Sequence, residues 1–269
     1  MVTNNPDAPI GVFDSGLGGL TVLKSCLEAM PRERFVYLGD TARTPYGSKA
    51  HETICRYGLE CADFLAGHDV KFIVVACNTV SAHAMPELYE RFNCPIVGTV
   101  DPAVQAALRV TKNHRLGVIG TDATISQGVY QEALRKADPD VEVISKACPL
   151  FVPFVEQGMV SGEIVEKVVE LYLEEFKDSG VDTMILGCTH YPLLHDVIQS
   201  YLGEGVSLVA CSDAVAAVVQ EKLEYHELAT SKDHGTAAYF ATDAADRFDI
   251  LATTLVGLND VQSQHIDIS

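Results

Sequence analysis

The sequence predicts an α/β protein built from parallel strands and helices, with the same unit used twice. Short apolar runs alternate with segments of helical periodicity along most of the 269 residues, which is typical of parallel sheets covered by helices. Two motif pairs are also similar: IGVFDSG at 10–16 resembles LGVIGTD at 116–122, and FIVVACNT at 72–79 resembles TMILGCTH at 183–190. Because their order and spacing nearly match, we expect a duplicated α/β unit.

The individual elements follow from the same patterns. Short apolar runs bounded by turn residues suit strands that are buried on both faces. The expected strands are 10–14, 34–40, 72–77, 95–100, 115–120, 141–145, 183–188, 206–211 and, near the C-terminus, 236–243. Helical periodicity predicts helices at 49–66, 101–112, 126–136, 161–177 and 243–254.

Composition and charge exclude several classes of protein. The hydrophobic fraction of 48% is enough for a large core. The formal charge of −18 repels phosphate backbones and anionic lipids, so we expect neither a nucleic-acid partner nor a membrane partner. No apolar run is long enough to cross a bilayer, and the N-terminal sequence lacks the features of a secretion signal. These features predict a cytoplasmic protein whose acidic ligands are held by backbone N–H groups rather than by a basic patch.

The eight cysteines do not form a recognisable disulfide or metal pattern. None belongs to a CxxC motif, and a chain without an export signal is expected to keep its thiols reduced. No metal site is therefore predicted. Five of them are interpreted as small, buried or half-buried apolar residues: Cys26, Cys55, Cys61, Cys94 and Cys148.

Cys77 and Cys188 differ from the other cysteines because each ends one of the two similar strands. Ligands of open α/β sheets bind beyond the carboxyl ends of the strands. Other polar residues stand at such ends as well: Asp14, Ser15, Asn78, Thr79, Thr121, Thr189 and His190. If the two units face each other, these ends converge on one cleft, and the two thiols approach a ligand from opposite sides.

Two opposed thiols suit the inversion of a stereocentre, which needs a base on one face of a carbon and an acid on the other. A thiol has a pKa of about 8.5, and N–H groups at the start of a helix are expected to lower it. For a single cysteine a structural role is the better interpretation, but the paired contexts CNT and CTH favour a functional pair. Asp14 is also a candidate helix cap, and His190 a candidate structural histidine.

The glycine-rich segment SGLGGLT at 15–21 has two interpretations. Thr21 occupies the place where a dinucleotide fingerprint has its third glycine, although Asp40 after the next strand fits that fingerprint. A tight turn into a helix is the preferred interpretation.

Five motifs together resemble the bacterial glutamate racemases of the aspartate/glutamate racemase superfamily. They are IGVFDSGLGG at 10–19, YLGDTARTPYG at 37–47, ACNTVSA at 76–82, GVIGT at 117–121 and LGCTHYPLL at 186–194. The resemblance implies two pseudo-symmetric α/β lobes with the active site in the cleft between them. The first lobe would comprise residues 1–98 and 211–269, and the second residues 99–210.

The resemblance also implies an activity and a set of site residues. The enzyme would interconvert L- and D-glutamate without a cofactor or metal and would supply D-glutamate for peptidoglycan. Cys77 would act on the α-proton of D-glutamate with help from Asp14, and Cys188 on that of L-glutamate with help from His190 and Glu156. The implied substrate contacts are Asp14, Ser15, Pro45, Tyr46, Gly47, Asn78, Thr79, Thr121, Thr189 and His190. The sequence leaves a homodimer open.

Several alternatives remain open at this point. A racemase for aspartate, another amino acid or a hydantoin would use the same two cysteines. A hydrolase would use Cys77 and His190 as nucleophile and base, and a pyridoxal enzyme would need a lysine that the cysteine motifs lack. A non-catalytic protein that binds acidic metabolites is the alternative outside enzymes.

Overall fold

The structure is a computed structural model that describes residues 2–268. The strands are β1 (Ile10–Asp14), β2 (Phe35–Gly39), β3 (Phe72–Val75), β4 (Ile96–Val97), β5 (Arg115–Gly120), β6 (Glu142–Ala147), β7 (Thr183–Gly187), β8 (Ser207–Ala210), β9 (Ala237–Ala241) and β10 (Ser263–His265). The α-helices are α1 (Leu20–Ala29), α2 (His51–Gly67), α3 (Asn78–His83), α4 (Met85–Arg91), α5 (Val100–Val110), α6 (Asp122–Gln127), α7 (Val129–Ala137), α8 (Phe151–Glu156), α9 (Glu163–Leu173), α10 (His195–Leu202), α11 (Cys211–Tyr225) and α12 (Ala245–Leu251). Short 3₁₀ turns cover Tyr46–Ser48, Glu174–Phe176 and Tyr191–Leu194, and a π-helical turn covers Ala252–Val256.

The strands form two separate sheets in which every pairing is parallel. The first has the order β10-β9-β2-β1-β3-β4, and the second the order β6-β5-β7-β8. In each sheet a central strand, β1 or β5, lies between two strands that follow it in the chain. The order β2-β1-β3 in one sheet therefore matches β6-β5-β7 in the other. The predicted α/β class with two similar units is confirmed.

Burial explains why these segments are strands. All residues of β1, β2, β3 and β7 are buried, as expected for strands covered on both faces. Three of the edge strands, β6, β8 and β10, have partly exposed side chains instead, whereas the two-residue edge strand β4 is buried. Polar residues at an edge reduce the risk of pairing with another chain.

Three apolar clusters hold the layers together. One covers the outer face of the first sheet under α2, and another covers the outer face of the second sheet under α8 and α9. The largest is shared, because Val12 of β1, Val104 of α5, Val118 of β5 and Val215 of α11 all belong to it. The two sheets are thus joined by a continuous core and do not merely touch.

The structure corrects several sequence-based boundaries. The strand expected at 95–100 contains only Ile96–Val97, and Val100 already begins α5. The helix expected at 126–136 is divided by Gly128, whose φ of +75° is a left-handed conformation that ends α6. The strand β10 and the short helix α8 were not predicted, because neither has enough residues to show a clear period.

The division into lobes at residues 98/99 and 210/211 stays a prediction, and residues 1 and 269 of the predicted first lobe lie outside the described residues. All eight cysteines are free thiols. No helix within residues 2–268 is both long and apolar enough to cross a membrane.

Candidate active site

Four strand ends bring the predicted polar residues to the facing edges of the two sheets. Asp14 ends β1, and Cys77 follows β3 by two residues. Thr121 follows β5 directly, and Cys188 follows β7 directly. All four residues are buried. The cleft therefore receives side chains from equivalent positions of both sheets, as the duplicated sequence pattern predicts.

Cys77 occupies the position before the first residue of α3 and is 4% exposed. Its thiol donates to Ser15 Oγ at a sulfur–oxygen distance of 3.6 Å. Burial and, to a smaller extent, the charge of Asp14 raise the pKa of Cys77 to about 12, although the N–H of Val80 opposes both effects. The expectation of a lowered pKa is thus wrong for Cys77, because the loss of hydration outweighs the few N–H donors at the helix start.

Asp14 organises the glycine-rich turn and reaches across the cleft. Its Oδ2 accepts hydrogen bonds from the N–H groups of Gly16 and Gly19, both at 3.0 Å. Its Oδ1 lies 3.4 Å from the hydroxyl of Thr189, which belongs to the second sheet's edge. Burial raises the pKa of Asp14 despite the opposing charge of His190 and the two N–H donors. The carboxyl group thus fixes the turn that leads into α1, without capping the helix itself, and faces the catalytic candidates.

Cys188 has a different set of partners. Its sulfur lies 3.8 Å from Nδ1 of His190, whose Nε2 lies 2.6 Å from Glu156 Oε1. Burial lowers the pKa of His190, but its hydrogen bonds to Cys188 and Glu156 outweigh burial and raise the pKa well above its usual value. Burial likewise raises the pKa of Glu156, and the hydrogen bond from His190 overcomes this and lowers it. An imidazolium–carboxylate pair therefore stands beside Cys188.

The two cysteine environments interact across the cleft. A charge on Cys188 raises the pKa of Cys77, so the two sulfurs lie within electrostatic reach of each other. Thr79 lies on α3, after the first sheet's β3, and Thr121 follows β5 of the second sheet. Their hydroxyl oxygens lie 3.1 Å apart. These contacts place all five predicted catalytic residues, Asp14, Cys77, Glu156, Cys188 and His190, in one connected region.

The glycine-rich turn is needed for close approach between the sheets. A Cβ atom on Gly18 would lie 2.4 Å from Thr189 Oγ1 and 2.6 Å from His190 Nδ1. On Gly47 it would lie 2.4 Å from Cβ of Thr121. The turn leads directly into α1, as the preferred interpretation predicts, and its glycines leave room for the second sheet's site residues.

Two predicted substrate contacts use their side chains inside the protein. Asn78 Oδ1 accepts hydrogen bonds from Thr99 Oγ1 at 2.8 Å and from Tyr130 OH at 2.5 Å, while Asn78 Nδ2 faces the sulfur of Cys211 at 3.6 Å. The hydroxyl of the buried Tyr46 donates to Asp40. Asn78 can therefore contact a ligand through its backbone, and Tyr46 through its backbone or its aromatic ring.

Sequence reasoning did not find the residues that support these side chains. Thr124 hydrogen-bonds to Thr121 at 3.0 Å and lies 3.4 Å from Thr79, and Thr99 and Tyr130 hold Asn78. None stands in a recognisable motif, so only their packing identifies them.

Pro45 is exposed beside the short turn Tyr46–Ser48, which Gly47 brings against Thr121.

Comparison with known proteins adds family information to this geometry. The model of the Asp/Glu/Hydantoin racemase family matches residues 10–221. The glutamate racemase of Aquifex aeolicus is 51% identical over 92% of this chain and 94% of its own, and that of Geobacter metallireducens is 45% identical over 95% and 96%. The match to these relatives extends over nearly the full length of both chains.

Solved structures agree with the same architecture. Glutamate racemase isoform RacE1 from Bacillus anthracis superposes with a TM-score of 0.94 at 33% identity, with 98% of each chain covered. The glutamate racemase of Francisella tularensis in complex with D-glutamate has a TM-score of 0.89 at 36% identity, again over 98% of each chain. Aspartate racemase from Picrophilus torridus, at 15% identity, covers 82% of this chain and 98% of its own with a TM-score of 0.61 and shares the fold alone.

Proposed function

Because this chain belongs to the Asp/Glu/Hydantoin racemase family, we propose that it interconverts L- and D-glutamate by proton transfer between two cysteines, without a cofactor. The family resemblance given by the motifs is confirmed. The observation that carries the proposed mechanism is the placement of Cys77 and Cys188 at equivalent strand ends of two facing sheets. The relatives that match this chain over nearly its full length are named glutamate racemases, which supports glutamate as the substrate.

For L-glutamate, the Cys188 thiolate removes the α-proton. The Cα–H bond breaks, the S–H bond of Cys188 forms, and the electron pair moves into the adjoining carboxylate. The protonated His190, 3.8 Å from the sulfur, stabilises the thiolate before transfer. Cys77, kept protonated by burial, then gives its proton to the opposite face of Cα. The product is D-glutamate.

The reverse direction exchanges these roles. Cys77 as a thiolate removes the α-proton of D-glutamate, and the Cys188 thiol supplies the new one. Asp14 assists Cys77 through its charge and through the loop that it organises. Microscopic reversibility requires that each thiol is acid in one direction and base in the other.

Substrate carboxylates are held by hydroxyl and N–H groups at the strand ends. The hydroxyl donors are Ser15, Thr79, Thr121 and Thr189, and the backbone near Asn78, His190 and Pro45–Tyr46–Gly47 contributes the rest. Donors of this kind bind anions without a basic patch, which suits a chain with a formal charge of −18.

Access to the thiols requires movement between the sheets. Cys77 is 4% and Cys188 5% exposed, and the turns at Gly18 and Gly47 lie against the opposite sheet. A cavity of about 220 Å³, lined in part by Leu17, Thr44, Glu156 and Arg247, lies beside the Cys188 side of the site. We propose that glutamate enters when the two lobes, divided at residues 98/99 and 210/211, separate. The D-glutamate formed in the cytoplasm would serve peptidoglycan synthesis.

Circular dichroism of glutamate incubated with the untagged protein tests this proposal. L- and D-glutamate should each lose their signal completely without any added cofactor, and in D₂O the products should carry deuterium at Cα. The same measurement with L-aspartate distinguishes the alternative racemase. Binding of glutamate without loss of signal would instead indicate an acidic-metabolite binding protein.

A further inference from the structure

A second group of chemically active side chains lies between α2 and the α3–α4 segment. His51 and Cys55 stand four residues apart on α2, and Glu87 lies on α4. One ligand atom from each of the three lies within 4.8 Å of the others. We propose that His51, Cys55 and Glu87 bind a divalent transition-metal ion of the zinc class, at a site separate from the two catalytic cysteines.

Helix geometry explains why these side chains meet. Residues four apart lie on the same face of a helix, so His51 and Cys55 point together toward α4. His83 ends α3 and Glu87 lies on α4, and both contact side chains of α2. This helix packs against both α3 and α4. Each helix segment thus contributes one histidine and one further donor to the interface.

The distances are close to those of a coordinated metal ion. Cys55 Sγ lies 3.7 Å from His51 Nε2 and 3.9 Å from Glu87 Oε1. Ligands bound tetrahedrally to zinc at about 2.0–2.3 Å stand roughly 3.3–3.8 Å from one another. Adjustments of a few tenths of an ångström in these contacts, with rotation of the imidazole, would accommodate an ion.

His83 fixes the orientation of His51. Nε2 of His83 lies 3.2 Å from the carbonyl oxygen of Ala123, which only accepts hydrogen bonds, so this nitrogen carries the proton. The other nitrogen, Nδ1, then accepts from His51 Nδ1 at 3.0 Å. Nε2 of His51 then carries the lone pair that faces Cys55 Sγ at 3.7 Å, on the side available to a metal. Metal-binding histidines are commonly held in this way by a hydrogen bond at the other ring nitrogen.

Charge also favours a cation in this group. Glu87 Oε2 is buried and has no hydrogen-bond partner among the described residues. Burial and, to a smaller extent, the charges of Glu87 and Glu52 together raise the pKa of Cys55 to about 11. Burial lowers the pKa of His83 and keeps it neutral. A bound cation would pair with the carboxylate and replace the thiol proton, which is released to solvent.

The ion has a route from solvent. His51 is exposed, and together with Cys55 and Glu87 it lines an open groove of about 430 Å³. A mixed set of imidazole, thiolate and carboxylate ligands is typical of zinc and excludes the hard ions magnesium and calcium, which prefer oxygen. Three protein ligands leave one tetrahedral position for water.

Cobalt(II) and zinc(II) titrations of untagged, chelator-stripped protein test the proposal. The Cys77→Ser, Cys188→Ser double variant is the background, so that the catalytic thiols cannot bind the ion. One equivalent of Co²⁺ should give a sulfur-to-cobalt charge-transfer band and tetrahedral d–d bands. Calorimetry should show one Zn²⁺ site whose affinity falls at least 10–100-fold in Cys55→Ser, His51→Ala or Glu87→Gln, since losing even an outer-shell partner costs that much.

Matched controls are the partly buried Cys94→Ser and the exposed His195→Ala, which should bind like the background protein. Far-ultraviolet circular dichroism establishes that each variant is folded. Zn²⁺ should also raise the unfolding temperature of the background protein and leave that of Cys55→Ser unchanged. Absence of stoichiometric binding, or a charge-transfer band that persists in Cys55→Ser, would overturn the proposal. Racemase activity does not enter these readouts, so failure here leaves the proposed function intact.

Discussion

The two cysteine environments share a backbone position but differ in their polar partners. Cys77 follows β3 and Cys188 follows β7, and each strand lies beside the central strand of its sheet. Cys77 has a serine hydroxyl and a buried carboxyl group nearby, whereas Cys188 has a histidine paired with a carboxylate. The repeated backbone places the two sulfurs at matching positions, and the polar side chains around them differ.

The pseudo-symmetry of the two sheets therefore does not make the two thiols chemically equal. Anionic surroundings and burial keep Cys77 as a thiol, while the cationic His190 stabilises negative charge at Cys188. Since L- and D-glutamate have equal free energies in water, kcat/KM must remain equal in both directions for every variant. The asymmetry therefore appears in isotope exchange and in pH profiles.

Removing either sulfur should have the largest effect on activity. We expect Cys77→Ala and Cys188→Ala each to reduce racemisation by about 10²–10⁴-fold or more, the usual contribution of a positioned acid or base. In D₂O, the variant that retains Cys188 should still exchange the α-proton of L-glutamate, and the variant that retains Cys77 that of D-glutamate. NMR of each enantiomer measures this exchange. Near-normal racemisation by either variant would rule out its cysteine as an obligatory acid and base.

Glu156→Gln should have the next largest effect and should act mainly through His190. Loss of a charged hydrogen bond costs about 1.5–3 kcal/mol, or roughly 10–150-fold in rate. Glu156 raises the pKa of His190, so the variant should lose the imidazolium at lower pH than the wild type does. The basic limb of the pH profile of kcat should therefore move to lower pH, and an unmoved limb would contradict this role. Glu163→Gln, at an exposed position of α9, is the control.

Asp14→Asn should have a smaller effect and should be specific to Cys77. Asn keeps an acceptor for the N–H groups of Gly16 and Gly19, so the variant loses only the difference between a charged and a neutral hydrogen bond, about 1–1.5 kcal/mol or roughly 5–10-fold. Because the charge of Asp14 raises the pKa of Cys77, its removal should increase the thiolate fraction and speed alkylation of Cys77 at a fixed pH. Mass spectrometry of the two cysteine peptides after brief iodoacetamide treatment gives both rates. Equally faster alkylation of Cys188, or faster alkylation of Cys77 in the exposed control Asp178→Asn, would contradict a specific effect of Asp14 on Cys77.

Much of this comparison was predictable from the sequence, because strand ends can be located by local pattern. Asp14, Cys77 and Cys188 end or follow short apolar runs, and parallel strands bring such ends to one edge. The raised pKa of Cys77 was not predictable, since it depends on how completely other segments exclude water.

Contacts between segments that are distant in the chain were also missed. Asn78 is held by Tyr130 and Cys211 from other helices, and Cys55 meets Glu87 only because α2 packs against α4. No local period or motif encodes these contacts. Cys55 is buried, as the sequence predicts, and its contact with Glu87 depends on the helix that faces it.

Thr189 offers the finest test of the comparison, because its hydroxyl joins the two environments through Asp14 at 3.4 Å. At 3.4 Å this hydrogen bond is long, so we expect it to contribute only about 0.5–1.5 kcal/mol, and Thr189→Val should reduce kcat/KM by roughly 2–10-fold. Thr189→Ser keeps the hydroxyl and should stay within about twofold of the wild type. Steady-state kinetics from both enantiomers measures each value. If Ser and Val behave alike, the methyl packing of Thr189 matters and its hydrogen bond to Asp14 does not.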